Sequence, residues 1–233
     1  MKLNRIHATL FFLMAITISW LTACDSTNSA PKAPDYYSFS KINCYVRYMA
    51  QNRELRADMT FRTDSTQAID GAVTLNSIPM VFKKRPIVGL QYQLVKNSIT
   101  FDNDYTFRYI EKNGQPIDLT IQLNDFDSLR IASKTVSKTT GGLLQWNGPA
   151  LGHEDGLVFI LTDSKGNTFS INHVGISKGN QFEIIADHAN RLALGTATIE
   201  TTRKKTTIQQ ENGTTRMLTV EYYSKPIEFE VID

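Results

Sequence analysis

The side chains with the strongest intrinsic chemistry in this 233-residue sequence are two thiols, Cys24 and Cys44, and the imidazoles His153, His173 and His188 that follow the apolar amino-terminal stretch. A histidine or cysteine metal centre needs about three or four ligands at matched spacing, and no HxH, HExxH or CxxC pattern occurs. His173 would share a strand face with Phe169 and Ile171, which reads as a hydrogen-bonded core residue rather than a ligand or base. His153-Glu154-Asp155-Gly156 reads as a polar loop after Trp146. Cys44 precedes Tyr45, Val46, Arg47 and Tyr48 in an alternating run, where a thiol behaves as a small buried hydrophobe and lacks the activating surroundings of a nucleophile. Serine-based hydrolysis is not expected either. No catalytic residue, metal site or cofactor is therefore assigned, and a non-enzymatic role is expected.

Binding chemistry has three further candidates. Phe101-Asp102-Asn103-Asp104-Tyr105 and Asn124-Asp125-Phe126-Asp127 are rich in oxygen, yet Ca²⁺ takes about six to eight oxygen donors, and Asp and Asn in turns account for the same residues. Lys83-Lys84-Arg85-Pro86 and Arg203-Lys204-Lys205 lie between strand candidates and read as solvated hairpin tips, with anionic headgroups or polysaccharide as the sharper alternative. Tyr36, Tyr37 and Phe39, together with the Tyr222-Tyr223 pair, are the candidates for a sugar-stacking platform. In a strand one of two adjacent tyrosines must face outward.

The amino terminus carries the clearest pattern. Lys2 and Arg5 precede an apolar stretch from Ala8 to Trp20, interrupted only by Thr9, Thr17 and Ser19. That length suits a signal segment better than a permanent span. It ends in Leu21-Thr22-Ala23-Cys24, which resembles the lipobox of bacterial lipoproteins. The resemblance implies cleavage before Cys24, a thioether from its sulfur to diacylglycerol, and acylation of the new amine. Residues 1–23 would then be a signal peptide, and residues 24–37 the lipidated cysteine and a polar, Pro-bearing tether. Each buried methylene contributes roughly 0.8 kcal/mol, and two or three chains suffice for stable anchoring. With Cys24 modified, Cys44 has no partner for an intramolecular disulfide, so the core must hold the protein together.

From residue 43 the dominant period is two. Leu55, Ala57, Met59 and Phe61 alternate with Arg56, Asp58, Thr60 and Arg62, putting apolar groups on one face of a strand. Ile117, Leu119, Ile121 and Leu123 repeat the pattern, as do runs at 90–94, 105–109, 168–174, 196–199, 218–222 and 227–231. Asn113-Gly114, Asn212-Gly213 and the segment 163–167 supply residues that tolerate positive φ where hairpins turn. These features predict an all-β chain built as two tandem β-sandwiches, 38–127 and 128–233. The second half resembles a fibronectin type III or related immunoglobulin-like domain in the succession Leu144-Gln145-Trp146, 157–161, Phe182-Glu183-Ile184-Ile185, then Leu192-Ala193-Leu194-Gly195 leading into Thr196-Ala197-Thr198-Ile199. That resemblance implies a core tryptophan at Trp146, and it departs from the family at Ala197, where a tyrosine corner would place Tyr.

Past Ala23 the chain holds 23 basic and 23 acidic residues, a balance that argues against nucleic acid as a partner. The expected partners are a lipid bilayer, through the acyl chains, and an envelope protein or a glycan. The expectation is thus a lipid-anchored cell-envelope protein, on the periplasmic or surface face of an outer membrane or at the inner membrane. It would act as a binding or assembly component, with glycan handling as the alternative.

Overall fold

A computed structural model describes residues 39–63, 68–85, 89–111, 113–125 and 127–233. The lipobox residues Leu21, Thr22 and Ala23, the acylation candidate Cys24, and Tyr36 and Tyr37 lie outside the described residues.

Alternation becomes strand wherever it was read. In β1 (Lys41–Met49) and β2 (Glu54–Arg62) every second residue is buried. Ile42, Cys44, Val46 and Tyr48 of β1 thus meet Leu55, Ala57, Met59 and Phe61 of β2 on one face. The short β3 (Thr74–Leu75) and β4 (Ile78–Pro79) follow, then β5 (Val81–Arg85), β6 (Gly89–Lys96), β7 (Asp104–Ile110) and β8 (Pro116–Gln122). Next come β9 (Asp127–Ile131), β10 (Thr135–Ser137), β11 (Gly142–Asn147), β12 (Asp155–Thr162), β13 (Thr168–Val174) and β14 (Gln181–Ile184). A single helical turn, Ala186–Ala189, precedes β15 (Gly195–Glu211), β16 (Thr214–Tyr223) and β17 (Ile227–Ile232).

These strands make two sandwiches. In the first, the face of β16, β1, β2 and β6 packs on β4-β3-β7-β8. Rings cross the gap: Phe61 lies 5.2 Å from Tyr109, and Phe101 contacts both Tyr48 at 5.2 Å and Tyr222 at 4.9 Å. Such tilted and edge-on pairs add about 0.5–1.5 kcal/mol each beyond their buried area. In the second, β13-β12-β15-β17-β10 packs on β14-β11-β9, with Phe159 of β12 4.5 Å from Phe182 of β14. Trp146 is fully buried there, and its indole N–H donates to the Pro149 carbonyl at 3.0 Å.

The all-β sandwich expectation holds, but the division at 127/128 does not separate the sandwiches. β1 pairs in parallel with β16 over its whole length, from Lys41 opposite Thr215 to Met49 opposite Tyr223. The first sandwich is therefore closed by strands that come after the second in sequence. Its link is β15, whose 17 residues run through both. Residues 195–199 pair with β17, 198–205 with β12, and 202–211 with β16. The described residues accordingly form one compact unit. Sequence periodicity hides this because Thr201 to Glu211 reads Thr-Thr-Arg-Lys-Lys-Thr-Thr-Ile-Gln-Gln-Glu, with no apolar alternation to mark a continuing strand.

The turns behave as their residues require. Asn212 and Gly213 both hold positive φ, 50° and 77°, the geometry of the two-residue hairpin that suits twisted strands. Gly141, at φ 78°, sits so close to β14 that a Cβ there would lie 2.2 Å from the Ile184 carbonyl oxygen.

Candidate functional site

Reactive groups singled out in the sequence are mostly structural. Cys44 is buried, and burial pushes its thiol far above the ordinary range, with nearby Arg216 only partly opposing the shift. A thiol held protonated is a poor nucleophile. His173 packs edge-on against Phe182 at 5.7 Å on the partly buried face it was expected to occupy, but its buried Nε2 has no hydrogen-bond partner among the described residues, contrary to the hydrogen-bonded reading. His153 lies exposed in the turn before β12, and His188 is partly buried in the helical turn. Phe39 is interior, 4.7 Å from Phe61, and Tyr222 stacks on Tyr48 at 5.7 Å. Of the proposed stacking aromatics that are described, only Tyr223 is partly exposed.

Asp102 and Asp104 serve a turn. Asp102 accepts from the Asp104 amide at 3.2 Å and from Asn76 Nδ2 at 3.2 Å, and Gln122 donates to Asp104. Asp125 lies in the connection before β9. Among the described residues no group of three or more His, Cys, Asp or Glu is placed to hold a metal ion.

Motif reading passed over one serine. Gly175-Ile176-Ser177-Lys178-Gly179 has the G-x-S-x-G spacing of a nucleophile elbow, which requires an exposed serine on a tight strand-to-helix turn. Here the segment joins β13 to β14, and Ser177 is buried. Its Oγ donates to the Gly179 carbonyl at 2.5 Å and accepts from the Leu151 amide at 2.9 Å. The hydroxyl pins two loops together.

The basic clusters are not hairpin tips. Lys83 to Arg85 belong to β5, and Arg203 to Lys205 lie in mid-strand. Arg203 is fully interior, and its Nη2 donates to Asp155 Oδ2 at 2.9 Å. The polar run His153-Glu154-Asp155-Gly156 was expected to be a loop, yet Asp155 and Gly156 open β12. Alternation explains the outcome: Ala197, Ile199, Thr201 and Arg203 take the inward face of β15, so the next inward position carries a guanidinium that needs a buried acid.

Among the described residues, a polar cluster and a strand edge bear most on function. The first is a polar cluster on the outward face where β1, β16 and β15 lie side by side. Glu221 sits opposite Arg47 in one register and Lys204 in the other. Its Oε2 accepts from Tyr45 at 2.5 Å and from Tyr223 at 2.9 Å, and its Oε1 lies 3.3 Å from Lys204 Nζ. Arg47 donates to the Tyr45 hydroxyl at 3.0 Å, with its guanidinium 5.2 Å from the Tyr223 ring centre. Burial would raise the Glu221 carboxyl, but the bonds from Tyr45, Tyr223 and Lys204 outweigh it and hold the group below its usual range. Burial and the neighbouring carboxylate push Tyr45 up. Neither group is poised to exchange a proton near neutrality. The cluster braces three strands.

The second surface is the free edge of β13. Among the described residues β13 pairs only with β12, from Thr168 opposite Thr162 to Val174 opposite Gly156. The Asp163 amide bonds to the Asn167 carbonyl and the Gly175 amide to the Asp155 carbonyl. Because bonded pairs alternate along an antiparallel ladder, Phe169, Ile171 and His173 face β12, while Thr168, Ser170, Asn172 and Val174 turn their N–H and C=O groups outward. The strand reads Thr-Phe-Ser-Ile-Asn-His-Val, without Lys, Arg, Asp, Glu or Pro. Protected edges normally carry charge, Pro or a bulge, as β5 does with Lys83, Lys84 and Arg85. Val174 and Ile176 are 81% and 59% exposed beside it.

No family model and no curated protein matches the chain. Solved structures similar to it at low scores include two adhesin structures. One is a tetra-tandem repeat in the extending region of a large adhesion protein, 14% identical with a TM-score of 0.29, covering 81% of this chain and 49% of that one. The other, from work on host cell surface retention of a 1.5-MDa bacterial ice-binding adhesin, is 9% identical with a TM-score of 0.22 and covers 84% and 66%. The chain spans about half the length of the first and just under two thirds of the second.

Proposed function

We propose that this protein is a lipid-anchored component of a bacterial cell envelope. Acyl chains on Cys24 attach it to the membrane, residues 24–37 serve as a tether, and the double sandwich is a rigid, non-enzymatic platform that binds or assembles with another envelope component. The sequence Leu21-Thr22-Ala23-Cys24 after an apolar stretch supports the anchor. The fibronectin III-like succession of strands supports an immunoglobulin-like character for the sandwiches.

The observation that carries the binding role is the open, uncharged edge of β13. An exposed edge offers main-chain hydrogen bonds to an added strand, a recurrent mode of protein recognition. The reactive groups of the sequence, by contrast, are committed to packing: Cys44 is interior, Ser177 bonded on both sides of its hydroxyl, and Glu221 saturated.

Metabolic labelling with an alkynyl fatty acid, followed by membrane fractionation, tests the anchor. The wild-type chain should take up label and sediment with membranes, whereas Cys24→Ala should lose both. Equal labelling of the two would overturn the anchor.

A further inference from the structure

We propose that the β13 edge is a self-association site, through which two copies of this chain join by antiparallel β13 to β13 addition about a two-fold axis at Ile171. This rests on the binding role given above and names its partner.

An edge strand can be joined by another chain only in a register that opposes its outward-facing groups. In β13 those belong to Thr168, Ser170, Asn172 and Val174, all of even number. A two-fold centred on Ile171 places Ser170 opposite Asn172 of the second copy and Thr168 opposite Val174, each a pair that exchanges both backbone bonds. The whole length of the strand is used. On the inward face, Ile171 then meets its own counterpart, and Phe169 meets His173. These are the closely approaching, non-bonded positions of the new ladder, where side-chain contact is strongest.

Side-chain chemistry suits the self-pair. Ser170 and Asn172 are exposed and hydrogen-bonding, and Thr168 and Val174 are β-branched. The strand holds no Lys, Arg, Asp or Glu, and His173 faces Phe169 rather than its own counterpart, so like charges do not meet across the new ladder. Ile160, opposite Ser170 on β12, is 39% exposed, which with Val174 gives the joined surface apolar area to cover. Among the other edges of the described residues, β8 carries Pro116 and Asp118, and β5 carries Lys83, Lys84 and Arg85, two copies of which would bring like charges together. Two-fold, self-complementary contacts are the commonest way for identical chains to associate, and anchoring on one membrane would raise their effective concentration.

The test uses the full native chain, extracted in density-matched detergent, in sedimentation equilibrium. Ser170→Pro deletes one outward N–H per copy, a change tolerated at an edge because the β12 ladder is untouched. Wild type should be a dimer at micromolar concentration. Ser170→Pro should weaken it about 30-fold while retaining the wild-type circular dichroism. A second pair of variants guards against misfolding. Ser170→Lys with Asn172→Lys, and Ser170→Asp with Asn172→Asp, should each be monomeric alone and form a dimer when mixed. A monomeric wild type, an unweakened Ser170→Pro dimer, or a mixture of the charged variants that stays monomeric would overturn the proposal. None of these results touches fatty-acid labelling at Cys24, so the anchor stands or falls separately.

Discussion

Arg203 Nη2 and Asp155 Oδ2 lie 2.9 Å apart in the interior, with side chains 2% and 10% exposed, where β15 passes from one sandwich into the other. Asp155 also accepts from the Gly152 amide at 2.8 Å. Just beyond, Thr201 and Ser224 close the fork between β16 and β17, with Ser224 N donating to Thr201 O at 2.8 Å and Thr201 N donating to Ser224 Oγ at 3.1 Å. Removing one partner of a buried pair strands the other charge, at a cost of about 3–5 kcal/mol. Asp155→Ala should therefore lower the urea midpoint sharply. The double variant Asp155→Leu with Arg203→Met should recover much of that loss. A cost below about 1 kcal/mol for Asp155→Ala, measured by urea denaturation, would show that the pair is solvated.

The shared strand predicts how the molecule unfolds. The first sandwich borrows β16 and half of β15 from the end of the chain, so neither sandwich is complete by itself. Heating should give one cooperative transition, with near-ultraviolet and far-ultraviolet signals coincident. A fragment ending at residue 127 lacks the parallel partner of β1 and should show no cooperative melt. Two separated transitions, or a well-folded fragment, would favour the independent tandem arrangement.

Acid should loosen the β12 to β13 turn. Asp163 accepts from the Asn167 side chain at 3.0 Å, and from the amides of Ala193, Asn167 and Lys165 at 2.9 Å each, and these bonds pull its carboxyl down to about 2. An ordinary aspartate titrates near about 3.9. The stabilisation is therefore complete above about pH 4 and is lost as pH falls towards 2. Between pH 5 and 2 the wild-type midpoint should fall more steeply than that of Asp163→Asn, and the variant should be the less stable at pH 7. Parallel curves would refute this role.

Gly141→Ala should destabilise by about 2 kcal/mol or more, because the site combines positive φ with a Cβ that would strike the Ile184 carbonyl. Thermal melts read the effect. Gly166→Ala is the control, since its φ is also positive, at 81°, and nothing lies within 4 Å of an added Cβ. Equal losses at both positions would leave the backbone strain as the whole cause.

Strands with apolar alternation were legible residue by residue: Leu55 to Phe61 and Leu119 to Leu123 face the core as the pattern required. So were the turns at Asn113-Gly114 and Asn212-Gly213, where Gly114, Asn212 and Gly213 take the positive φ that their types tolerate. The pairing of β1 with β16 was not legible, because parallel partners far apart in sequence leave no local trace. Nor was the depth of Arg203, since a lone inward arginine within a polar run looks solvated until Asp155 of the neighbouring strand, diagonal to it, reaches its guanidinium. The openness of β13 was equally hidden: a strand carries its own pattern, but whether a neighbour covers its edge is decided by the whole sheet.

The anchored platform is tested most directly by mass spectrometry of the amino-terminal peptide from native protein extracted from membranes. The expected peptide begins at Cys24 and carries a diacylglyceryl group on sulfur together with an acyl group on the amine. An unmodified peptide, or one that begins at another residue with a free Cys24 thiol, would contradict it.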